Sequence, residues 1–149
     1  MIVAASCAGA WQYVIHYRSD EATNAQAADE AVTAARDGAV AILSYSPDTL
    51  ERDFASAKSH LTGEFLSYYR EFTEQVVRPA ATEQKVKTTA EVTRAALSEL
   101  APNSAKVLVF INQTTASTAK PDPVLTASSV LVTMEKQGNA WLISGFDPL

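Results

Sequence analysis

The spacing of apolar residues changes period once along this chain, near Lys85, and that single change restricts the fold more than any other feature. Upstream, Leu61, Phe65, Tyr68, Tyr69, Phe72 and Val76 recur at intervals of three and four, which lays one apolar stripe along a helix of about five turns. Downstream, Val86, Thr88, Ala90 and Val92 alternate with Lys87, Thr89, Glu91 and Thr93, so one face of an extended strand meets a core and the other meets water. Helices therefore come first and strands second. A chain ordered this way is an α+β fold, with its helices packed on one face of an antiparallel sheet.

The same logic places the other elements. Glu21 to Ser44 is rich in alanine and free of proline, which predicts a long first helix. Its apolar end, Ala39 to Leu43, is expected to reach the core, and its earlier turns to form a solvated stalk. Ser46-Pro47-Asp48 signals a second helix: Ser46 as cap, Pro47 in the first turn and Asp48 complementing the dipole, with Leu50, Phe54 and Ala57 on one face. Gly63 is expected where the next helix bends away, and Pro79 where the stripe ends. The unbroken run Val107 to Ile111 predicts a strand covered on both faces or central in its sheet. Ser128 to Lys136 alternates again, Gln137-Gly138-Asn139 supplies a tight turn, and Ala140 to Phe146 returns as the fourth strand. The loop from Ala116 to Val124, with Pro121 and Pro123, is expected to flank an opening.

Size and charge exclude several functions. The chain has 149 residues, one domain's length. Its net charge is −5, which disfavours nucleic acid as a partner, since binding phosphates needs a basic surface. Residues 1–83 carry six basic and twelve acidic side chains, against six and five in residues 84–149, so the helical half is the acidic one. A lone cysteine, Cys7, cannot form an internal disulfide or anchor a zinc site.

The N-terminus stands apart. No charged side chain precedes Arg18, and Ile2 to Tyr17 is mostly apolar. As a helix it would extend about 24 Å, short of the hydrocarbon core of about 30 Å. Trp11, Tyr13 and Tyr17 gather at its charged end as aromatics do at a bilayer interface, which reads as the outer end of a membrane anchor over residues 1–18 whose beginning lies upstream of Met1. Two other readings stand beside it: lipidation at Cys7, because Ala4-Ala5-Ser6-Cys7 loosely matches a lipoprotein cleavage site, and a buried helix of the globular core.

A set of ordered motifs resembles a known family. Leu43-Ser44-Tyr45 with Thr49-Leu50, then Leu61-Thr62-Gly63-Glu64-Phe65 with Tyr69, the run Val107 to Thr115, and the ending from Trp141 to Pro148 are similar to the actinobacterial Mce-associated membrane proteins. The resemblance covers the chain from about Ala22 onward. It implies a single-span protein whose residues 19–149 form a nuclear-transport-factor-2-like cone, with helices on a curved antiparallel sheet of about four strands, outside the cytoplasmic membrane. It also implies an accessory or stabilising role beside Mce complexes, which import lipids or sterols.

The residues themselves offer little catalytic chemistry. Proton abstraction in a pocket needs an inward acid or base tuned by apolar surroundings. Glu91, Glu135 and Asp147 fall at outward, turn or terminal positions, His16 lies in the apolar leader and His60 at a helix boundary. Asp53 and Glu64 would be exceptions if they turned inward. No nucleophile elbow, phosphate loop, dinucleotide fingerprint or zincin motif occurs. Tyr45, Phe65, Tyr68, Tyr69, Phe72, Phe110 and Trp141 either pack the core or line a pocket, in which case tyrosine hydroxyls would orient the polar end of an amphiphile. Taken with the resemblance, which implies the accessory role and the Mce partners, the expectation is a non-enzymatic, membrane-anchored accessory protein of the cell envelope that needs no cofactor or metal, with Mce proteins and the membrane as partners and a lipid as candidate ligand. A small-molecule-binding or isomerase-like domain of the same fold is the alternative, and a homodimer that covers the open sheet face is a third.

Overall fold

The computed structural model describes residues 23–149, and within them the predicted order holds. Helix α1 spans Ala25–Leu43. A single 3₁₀ turn, Pro47–Thr49, leads into α2 at Leu50–Ser59, and α3 runs over Gly63–Phe72. A π turn at Thr73–Val77 joins α3 to a short α4, Arg78–Glu83. Four strands follow: β1 Lys87–Ala101, β2 Ser104–Ala116, β3 Val124–Gln137 and β4 Ala140–Pro148, paired antiparallel in the order β1-β2-β3-β4. Trp11, Tyr13 and Tyr17 of the expected anchor, with Cys7 and His16, lie outside the described residues. Among the described residues, no helix is long and apolar enough to cross a membrane.

The sheet presents one face to the helices. Val107, Val109 and Ile111 of β2 and Val130, Val132 and Met134 of β3 are buried, and they alternate with residues that keep some contact with water. β2 is an inner strand covered on one face: Phe110, on the other face, is 40% exposed. Gly138 takes φ +62° in the β3–β4 turn, a conformation in which a side chain is strained. Register shifts interrupt β1 after Val92 and after Leu97, and β3–β4 pairing after Thr133; such bulges bend a sheet and strengthen its twist.

Three features correct the sequence reading. The early turns of α1 are not a stalk, because Ala27, Ala31, Ala35 and Ala39 form a buried stripe along almost its whole length. Alanine side chains are small enough to let the helix axis sit close to the sheet, so low hydrophobicity per residue is offset by close approach. Pro79 does not end the helical stripe. The Arg78 amide donates to the Thr73 carbonyl across the widened π turn, and helical geometry continues through Val77 and Arg78 into α4 with Pro79 in its first turn. Ser46 does not cap α2 with its side chain; its backbone amide donates to Asp53 Oδ2 at 3.1 Å, and Thr49 Oγ1 donates to the same oxygen at 2.5 Å.

Both sheet edges are tied to the helical layer. On the β1 side, Tyr45 and Thr88 exchange two backbone hydrogen bonds of 3.0 Å, and the Ala90 amide donates to Ser44 Oγ. On the β4 side, the Ile143 amide donates to the His60 carbonyl at 2.7 Å, and the Thr62 amide to the Ile143 carbonyl at 2.9 Å. These straps occupy edge groups that would otherwise be open to pairing with another chain, and they fix the segments on either side of α2 over opposite edges of the sheet.

Candidate functional site

The predicted aromatic stripe divides in two around α3 and the π turn. Tyr69, Thr73, Val77 and Ala81, spaced by four, face the core and are buried. Phe65, Tyr68, Phe72 and Val76 lie beside them, and Tyr68, Phe72 and Val76 are 58%, 40% and 51% exposed. The Phe65, Tyr68 and Phe72 rings stack in sequence, with centroids 6.2 and 5.7 Å apart, and Phe65 also stacks on Phe146 of β4 at 6.1 Å. The result is a ladder of nearly parallel rings at the mouth of a hollow of about 440 Å³.

That hollow lies between α3, the π turn and the ends of β2 and β4. Ile42, Leu43 and Tyr45 close it from the end of α1, Phe54 from α2, and Gln113, Phe146 and Pro148 from the sheet. Its volume lies in the range of small-molecule pockets. Five of the seven residues singled out in the sequence, Tyr45, Phe65, Tyr68, Tyr69 and Phe72, surround it. The other two do not. Phe110 lies on the opposite sheet face. Trp141 is buried beside His60, Asp29 and Glu30 under a separate shallow depression, with Lys136 Nζ 5.6 Å from its ring centre. Nor does the β2–β3 loop flank the hollow: Thr118 ties it to the Gln84 carbonyl through both its amide and its hydroxyl, each at 2.8 Å.

The floor is the polar part. Phe54 meets Tyr69 edge to face at 6.4 Å and Tyr45 at the same distance. Tyr69 is buried, and its phenol is pushed up to about 12 by desolvation, then by the nearby Asp53 carboxylate and Tyr45. Burial raises the Tyr45 phenol as well. Both are therefore neutral at physiological pH and can donate or accept. Neither hydroxyl has a hydrogen-bond partner among the described residues. Gln113 Nε2 donates to Thr88 Oγ1 at 2.9 Å. Thr73 Oγ1 is used within its own helix, donating to the Tyr69 carbonyl at 2.8 Å.

Among the described residues, no carboxylate, imidazole, ammonium or guanidinium lines the hollow. Asp53 is engaged by Thr49 and Ser46, Glu64 is exposed, and Glu91, Glu135 and Asp147 point to water. His60 ends α2, where its backbone serves the β4 strap. Arg78 lies behind Phe54: it stands 5.5 Å over the Phe54 ring and pairs with Glu74 at 2.8 Å and with Glu51, holding both carboxylates below their usual range. Among the described residues, no group of three or more His, Cys, Asp or Glu is placed to hold a metal.

Helices strapped over a bent four-stranded antiparallel sheet, with a hollow on one flank, have the nuclear-transport-factor-2-like fold that VirB8-type domains share. An IcmL-like type IV secretion system protein of Legionella pneumophila shares the fold at TM-score 0.65 with 9% identity, over 79% of this chain and 88% of that one. The periplasmic domain of DotI does so at 0.63 and 17%, over 79% and 91%, and the VirB8 protein of Agrobacterium tumefaciens at 0.59 and 12%, over 78% and 88%. The chain belongs to the family described as "Uncharacterized protein Rv1363c/MT1408-like", which matches residues 1–144. It is 54% identical to Rv1362c of Mycobacterium tuberculosis over 149 residues, the whole of this chain and 67% of that protein. It is 44% identical to Rv1973 of the same species, named an outer membrane protein, over 120 residues, 80% of this chain and 74% of that one.

Proposed function

We propose that this protein is a non-enzymatic accessory domain of the cell envelope, anchored through its N-terminal segment, that acts by protein contacts within an Mce-type lipid import assembly. The observation that carries the non-enzymatic part is the hollow itself: among the described residues, fifteen line it and none is a carboxylate, a histidine or a cation. General acid–base chemistry would need one of these there, or a phenol shifted down; Tyr69 is shifted up. The envelope part is supported by the relative named an outer membrane protein and by fold neighbours described as periplasmic. The Mce part rests on the motif resemblance from Leu43 to Pro148. The exposed Tyr68, Phe72 and Val76 supply the apolar surface that a contact with another subunit would bury.

Affinity capture of the tagged full-length protein from its native host's membranes, followed by mass spectrometry, tests this reading. Enrichment of Mce subunits is expected; their absence under conditions that retain other envelope complexes overturns it. Fractionation of the same cells should place the protein with the membranes, and recovery wholly in the soluble fraction excludes the anchor. The second reading, a small-molecule-binding domain, is favoured by the aromatic and aliphatic lining of the hollow, and a defined lipid in extracts of the purified protein would support it.

A further inference from the structure

The hollow is asymmetric in polarity. Its rim is hydrocarbon and aromatic, built by the Phe65, Tyr68 and Phe72 ladder with Val76, while its floor carries two neutral phenols, Tyr45 and Tyr69, without hydrogen-bond partners among the described residues. Phenols at the floor of an open hollow are satisfied by water or by a ligand, and a ligand that satisfies both while covering the rim gains on each account. The sign of the charge nearby narrows the choice. With no cation in the lining among the described residues and the Asp53 carboxylate close enough to disfavour a second negative charge at Tyr69, an anionic head group would be desolvated without a partner. A cationic head would likewise find no carboxylate within the lining.

We infer that the hollow binds an uncharged amphiphile, its hydroxyl or carbonyl head hydrogen-bonded to Tyr45 and Tyr69 and its hydrocarbon body laid along the Phe65–Tyr68–Phe72 ladder. The inference rests on the non-enzymatic reading of the same hollow and adds the ligand class, which that reading leaves open. A pocket of about 440 Å³ holds part of a long-chain molecule, so the far end of the tail emerges past Phe72 and Val76.

Titration calorimetry of the full-length protein with 1-decanol, decanoate and decyltrimethylammonium, which share one tail length and differ in head charge, tests it. Decanol is expected to bind at least about tenfold more tightly than either ion, because burying an unpaired charge is costlier than burying a bonded hydroxyl. Tyr69→Phe should weaken decanol about threefold to tenfold, the loss of one hydrogen bond, and leave the two ions unchanged. Phe72→Asp, at a position 40% exposed, should abolish decanol binding while its thermal unfolding stays cooperative, whereas Phe110→Asp on the opposite sheet face should leave binding intact. Equal binding of the three amphiphiles, no binding of any, or a Tyr69→Phe protein that binds decanol like the parent overturns the inference. So does sedimentation showing that Phe72→Asp splits a dimer that never bound decanol, which would make this face an interface between copies. Decanol binding without capture of Mce subunits would sink the accessory reading and keep this one, and the converse result would do the reverse.

Discussion

Gly38 of α1 and Ile143 of β4 approach so closely that a Cβ at position 38 would overlap Ile143 Cδ1, with the His60 Cβ 3.4 Å away on the other side. Ile143 is fully buried and held on its backbone by the His60 and Thr62 strap, so its side chain has little room to swing aside. The glycine is a packing requirement of the helix–sheet contact. Gly38→Ala should therefore destabilise by about 1 kcal/mol net, since overpacking at about 1–3 kcal/mol outweighs the helix-propensity gain of about 1 kcal/mol. Urea denaturation checks the sign: a more stable alanine variant would show that Ile143 relocates freely.

Phe54 joins the smaller core under α2 to the floor of the hollow, touching Tyr45 and Tyr69 with Arg78 above it. Phe54→Ala should cost about 3–5 kcal/mol through lost burial and the cavity left behind. A loss under about 1 kcal/mol in chemical denaturation would mean that the two tyrosines collapse into the space.

Asp53 organises the turn before α2, taking hydrogen bonds from the Ser46 amide and the Thr49 hydroxyl on one oxygen. Asp53→Ala should destabilise by about 1–3 kcal/mol, and Ser46→Ala, whose side chain makes no cap bond, by less than about 0.5 kcal/mol. Thermal unfolding of the two variants side by side would reveal a reversed order.

Alkaline pH should act through Tyr69. Its phenol ionises near 10 in the unfolded chain and at about 12 in the fold, so the folded state holds the extra proton between those values. This contribution is complete below pH 10 and is lost as pH rises toward 12, at under about 2 kcal/mol because solvent in the hollow screens part of it. Tyr69→Phe should flatten the fall in stability between pH 10 and 12. An unchanged slope would assign that fall to other groups.

The elements of this fold were legible in the sequence because periodicity is local. The change of period near Lys85 separates the helical half from the strands, the face formed by Leu50, Phe54 and Ala57 is buried, and Val130, Val132 and Met134 all point inward. Gly138 turns where a glycine was needed. Five of seven aromatic candidates surround one hollow, four of them because residues on neighbouring turns of one helix travel together.

What the sequence could not decide is which side of each element meets what, because that depends on contacts between residues far apart in the chain. A residue count gives one stripe from Leu61 to Val76; the π turn and the sheet beneath split it into a buried row at Tyr69, Thr73 and Val77 and an open row at Tyr68, Phe72 and Val76. Phe110 and Trp141 leave the site for the same reason, one by the alternation of β2 and the other by the position of β4 beneath α1. The alanine stripe of α1 looks weak when hydrophobicity is summed along the chain, and it is buried because small side chains let two backbones approach, a property of the pair of elements that neither segment carries alone.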